Sequence, residues 1–174
     1  IRDSSHFQSI QFINSAGSWD ADGKRFVFGA VSEGKPVLAF LDDEGRKIMD
    51  EIRFPALGEI LNPSWSPDGK RIVFSGLGGG YTDIYIYNLE TKELRPMTQD
   101  AYGDIHPAWS PDSRWIAFVT ERFTVQLNIM SFGNYQLALM DPETGEIKPL
   151  NTLKEGNSTN PQWSADSKSL FFLS

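Results

Sequence analysis

One phrase recurs four times along this chain, and the recurrence limits what the chain can fold into. It reads Trp65-Ser66-Pro67-Asp68-Gly69-Lys70-Arg71-Ile72-Val73-Phe74 in its fullest form, and similar phrases start at Trp19, Trp109 and Trp163. The spacings between these tryptophans are 46, 44 and 54 residues. An aspartate stands three residues after each tryptophan, at Asp22, Asp68, Asp112 and Asp166. Within a phrase, Pro presets φ for a turn position and Gly tolerates the positive φ that follows. The β-branched and aromatic run after the turn reads as a strand, so each phrase encodes a strand, a tight turn and a second strand.

Each unit then continues alike. In the second, Asp83–Leu89 reads as a third strand, 90–93 as a turn, and 94–98 as a fourth strand whose Pro96 suits an edge position. Val37–Leu41 and Leu137–Asp141 are the corresponding third strands of the first and third units. No amphipathic helix of useful length is present. Four short strands per repeat of about 44 residues is the pattern of a β-propeller blade. The strand runs are apolar at consecutive positions, as in Ile84-Tyr85-Ile86-Tyr87, which suits sheets covered on both faces. A two-sheet sandwich would alternate more cleanly.

The expected fold is therefore all-β, a propeller of four-stranded antiparallel blades. The blades fall at about 15–58, 59–102 and 103–155, with a half blade at 156–174. Residues 1–14 are read as a strand or as an extension of a neighbouring blade. A full ring of six to eight blades needs about 260 residues or more, so about three and a half blades leave the arc open. The expectation is a piece of a longer propeller, or an arc that buries its bare faces against a protein partner or a second copy. In a rarer alternative, 7–13 pairs with Leu170–Leu173 and closes a four-bladed ring.

The phrase W-S-P-D-G-K-R-I-V-F, followed by D-I-Y-I-Y-N-L-E-T-K-E-L-R-P-M-T, resembles the repeat of TolB-type propellers, which is WD-like. It is also similar to the repeat in propeller domains of prolyl-oligopeptidase and tricorn-type peptidases. Departures are Asp20-Ala21 for Ser-Pro in the first unit, Ala165 for Pro in the fourth, and Ser113 and Ser167 for the turn Gly. The TolB resemblance implies a non-catalytic scaffold for protein–protein contact in a bacterial envelope, periplasmic or extracellular. The peptidase resemblance implies the alternative, a propeller that docks or gates a catalytic domain lying outside these residues.

Composition narrows the chemistry. A net charge of −7 argues against a phosphate-binding surface and hence against nucleic acid. No apolar run approaches the roughly 18–20 residues of a membrane helix. Without cysteine there is neither a disulfide nor a thiolate site. His6 and His106 are the only histidines, and no H-E-x-x-H or G-x-S-x-G occurs. No nucleophile–base pair, metal site or cofactor site is legible, so the chain itself is read as not an enzyme. Asp20–Gly23 lacks the later ligands of a calcium loop, and Gly76–Gly80 lacks the Lys-Ser/Thr pair of a phosphate cradle.

Two groups remain as candidate contact sites. Asn62, His106 and Asn160 hold the same place in successive units, each before a proline, and are candidates for a channel rim. The third unit also carries an apolar insertion between its second and third strands, with Phe123, Met130 and Phe132. Surface loops are usually polar, so this segment either packs over its blade or docks another domain. Trp19, Trp65, Trp109 and Trp163 are expected to pack between blades, and the four aspartates to hold the turns.

Overall fold

The computed structural model describes residues 7–10, 16–42, 48–129, 131, 133–150 and 156–174. The chain forms antiparallel sheets in sequence order, as the repeat requires. The first sheet contains β1 (Phe7–Ile10), β2 (Ser18–Trp19), β3 (Arg25–Ser32), β4 (Lys35–Asp42) and β5 (Ile48–Arg53). Both β1 and β2 pair with β3, at its two ends, so together they take the innermost place. Thus β1 lies on its own blade and not against Leu170–Leu173. The second sheet is β6 (Glu59–Trp65), β7 (Arg71–Gly78), β8 (Tyr81–Asn88) and β9 (Leu94–Pro96). The third is β10 (Asp104–Trp109), β11 (Ile116–Thr120), β12 (Gln136–Met140) and β13 (Ile147–Pro149). The last has two strands, β14 (Thr159–Trp163) and β15 (Leu170–Leu173). The fold is all-β, an open arc of propeller blades.

Side chains explain why the sheets stack. Along β7, Ile72 and Phe74 join a core with Val27, Leu38, Phe40 and Trp65 on the side of the first blade. Val73 between them joins Trp109, Phe118 and Met140 on the side of the third. Tyr85 and Tyr87 of β8 face one core while Ile84 and Ile86 face the other. Consecutive apolar residues therefore serve two interfaces, each buried from water.

The turn phrase closes by a side-chain bond. Ser66 Oγ donates to Asp68 Oδ1 at 2.5 Å and accepts from Arg71 N at 2.8 Å. Ser110 with Asp112, and Ser164 with Asp166, repeat this at 2.7 Å. Gly69, Ser113 and Ser167 all adopt positive φ, near 60–70°, so a serine accepts the backbone that glycine takes at no cost. In the first unit Asp20 stands in the serine's place. Its Oδ1 accepts from Lys24 N and Arg25 N at 2.8 and 3.1 Å, and Asp22 is exposed.

Candidate functional site

The inner strands of the second, third and fourth sheets each carry a bulge at the residue that precedes the proline. The register shifts between Leu61 and Ser64 in β6, between Ile105 and Ala108 in β10, and between Thr159 and Gln162 in β14. Asn62, His106 and Asn160 sit at these bulges with φ of 50°, 56° and 51°. Such a left-handed backbone is uncommon outside glycine, and Asn and His tolerate it best. The bulges turn the three residues toward one another. They line one cavity of about 230 Å3, together with Pro63, Pro107 and Pro161. His106 Nδ1 accepts a long hydrogen bond, 3.4 Å, from Asn160 N. Partial burial lowers the His106 pKa, which favours a neutral imidazole. Among the described residues, the cavity lining contains no Lys, Arg, Asp or Glu, so it suits uncharged polar groups.

A second constellation lies between the second and third blades. Asp83 on β8, Asp100 between β9 and β10, and Asp104 at the start of β10 bring carboxylate oxygens within 4.8 Å of one another. Asp83 and Asp104 are buried. Arg122, just past β11, donates from Nη2 to Asp104 Oδ2 at 2.6 Å, and its Nη1 forms an ion pair with Asp100 Oδ2 at 3.1 Å. Its Nε donates to Thr120 Oγ1 at 3.1 Å, and its guanidinium lies 5.4 Å from the Tyr102 ring. Thr98 Oγ1 accepts from Ile84 N at 2.9 Å and donates to Asp83 Oδ1 at 3.2 Å. Burial raises the pKa of both Asp83 and Asp104, and Arg122 opposes the rise without cancelling it. Chemically, three carboxylates this close present the oxygen ligands that a hard cation takes.

Sequence reasoning missed this cluster. Its residues come from a strand, a turn and the next blade's inner strand, and no local spacing marks them. The available signal was a charged residue, Asp104, where the neighbouring repeats carry the uncharged Ile60 and Ser158. Other expected residues fall in different places. Trp65 and Trp109 are buried between blades, Trp163 is half-buried, and Trp19 is exposed. In the insertion, Phe123, Leu127 and Ile129 are exposed, the last at 65%. Met130 and Phe132 lie outside the described residues.

The family described as PD40, TolB beta propeller domain, matches residues 5–174. The chain is 33% identical over 89 residues to a protein named uncharacterized peptidase YuxL from Bacillus subtilis, covering 51% of this chain and 12% of that protein. It is 32% identical over 94 residues to dipeptidyl-peptidase 5 from Porphyromonas gingivalis, covering 53% of this chain and 13% of that protein. Among solved structures, TolB from Acinetobacter baumannii superposes with a TM-score of 0.69 at 25% identity, over 90% of this chain and 36% of that chain. The chain thus spans about an eighth of the peptidases it matches. Two expectations are corrected here. The non-catalytic scaffold, and the chain with no catalytic or metal-holding group, both give way to the peptidase relatives and the partly buried three-aspartate cluster.

Proposed function

Because the chain belongs to the TolB β-propeller domain family, we propose that it is the propeller part of a larger hydrolase of the peptidase class. The observation that carries this reading is the pair of peptidase relatives above 30% identity, each several times longer than the matched segment. The propeller docks a catalytic domain carried elsewhere in the parent and gates peptides on the way to it. The uncharged cavity at Asn62, His106 and Asn160 suits the gate, since backbone amides of a peptide are neutral donors and acceptors. The exposed side chains Phe123, Leu127 and Ile129 of the insertion supply the docking face. An extracytoplasmic setting belongs to the same reading, through the TolB likeness.

The test is hydrolysis by the whole parent protein of peptide p-nitroanilides of two to ten residues. The expected result is cleavage, with His106→Trp slowing the longer peptides at least five-fold and leaving dipeptide substrates unchanged. A parent that cleaves no peptide in the series overturns the reading.

A further inference from the structure

The partly buried carboxylate cluster between the second and third blades has a charge that its own side chains do not meet. Three carboxylates, Asp83, Asp100 and Asp104, face one guanidinium, Arg122. If all are ionised, two negative charges remain. Leaving such charge unpaired in a low-dielectric interior is costly. Arg122 occupies one oxygen each of Asp100 and Asp104, and leaves the other oxygen of each. Asp100 Oδ1 accepts from Tyr102 N at 3.1 Å. Asp104 Oδ1 is different: the side chain is fully buried, and this oxygen has no hydrogen-bond partner. The Thr98 and Thr120 hydroxyls lie near Asp104 without reaching hydrogen-bond geometry. A buried, unpartnered carboxylate oxygen inside an all-oxygen group is an unmet demand for positive charge.

We propose that Asp83, Asp100 and Asp104 form a site for one hard divalent cation, of the calcium class, which bridges the second and third blades. Carboxylates and hydroxyls are the ligands that such ions take, and two net charges match one divalent ion. Asp83 belongs to the second blade's sheet and Asp104 to the third's, so the ion would tie neighbouring blades. Arg122 stays on Asp100 Oδ2 and Asp104 Oδ2, and its repulsion weakens the ion. The dissociation constant is therefore expected in the range of about 0.1–1 mM, that of extracellular modules. Asp100, half-buried, is the entry side. The site does not depend on the proposed peptidase role, and its test involves no peptide substrate.

The experiment uses the 174-residue chain freed of metal by a chelator, titrated separately with CaCl2 and MgCl2 at constant ionic strength. Equilibrium dialysis reads stoichiometry, and thermal unfolding reads the coupled stability. One equivalent bound per chain is expected, with Tm rising about 3–5 °C at ten times the dissociation constant. Asp100→Asn keeps the bond from Tyr102 N but removes a charge, and should weaken binding at least ten-fold. Asp104→Asn should do the same. If that variant does not fold, Asp100→Asn decides alone. Asp166→Asn, in the fourth turn, should bind like the parent. Binding of neither ion, or equal binding by Asp100→Asn and the unaltered chain, overturns the proposal.

Discussion

The four tryptophans of the repeat occupy one sequence position and three different environments. Trp65 is 5% exposed, packs edge-on against Phe40 at 5.7 Å, and lies under the Arg25 guanidinium at 4.5 Å. Trp109 repeats the arrangement beneath Arg71 at 4.8 Å. Trp19 is 50% exposed and packs against Phe26 of its own blade, ring centroids 5.1 Å apart. Truncating Trp65 to Ala should cost about 3–5 kcal/mol, as for a buried aromatic, whereas Trp19→Ala should cost less than about 1 kcal/mol. Denaturant titration of the two variants checks this, and equal losses would contradict it. The indole N–H groups sharpen the contrast. Those of Trp65 and Trp109 are buried without a partner, while Trp163 Nε1 donates to Ala108 O at 3.1 Å. A partnerless buried donor costs free energy, so Trp65→Phe should lose much less than Trp65→Ala. The repeat made the position of each tryptophan readable. Burial was not readable, because it depends on which blade packs on each face.

At the scale of elements, the hairpins were the most legible part. A strand, a turn with proline and a positive-φ residue, and a second strand form from local preferences alone, and consecutive apolar residues announced two covered faces. What local preference could not show was the bulge. A residue before proline is ordinarily extended, yet Asn62, His106 and Asn160 are all left-handed. That backbone is what turns them into one cavity. It also confines His106 where its cation is poorly solvated, so its pKa falls below the ordinary 6.5. In the unfolded chain the imidazole titrates at its ordinary value. Between the lowered folded pKa and 6.5 the unfolded state then binds more protons, so stability rises with pH across that window. Its contribution should be complete above pH 6.5 and be lost as pH falls toward the folded pKa. Asp83 and Asp104, with raised pKa values, act with the opposite sign, from about pH 3.8 upward. Comparing the chain with His106→Asn, which tolerates the same backbone, isolates the histidine. The difference in stability between the two should depend on pH between 5 and 7. A constant difference would mean that His106 does not titrate in that range.

For the whole molecule, the arc has interfaces of two kinds. Those between blades are closed by cores on both faces of the second sheet. The remaining surface includes Phe123, Leu127 and Ile129, apolar and exposed on an insertion between β11 and β12. The insertion itself was legible as extra length and apolar content, but the chain alone could not show what it meets. Burying a large apolar side chain is worth roughly 1.5–3 kcal/mol, and these three leave 39%, 50% and 65% of their surface uncovered in the arc. If they dock a catalytic domain, their contribution appears only in the parent protein. Phe123→Ser with Ile129→Ser should therefore leave the unfolding of the 174-residue chain within about 0.5 kcal/mol per site. The same pair in the parent should expose the catalytic domain, seen as faster limited proteolysis between domains and at least a five-fold loss of peptide hydrolysis. Unfolding of the arc by the pair would make the insertion part of its core. Unchanged proteolysis and hydrolysis in the parent would place the docking face elsewhere on the propeller.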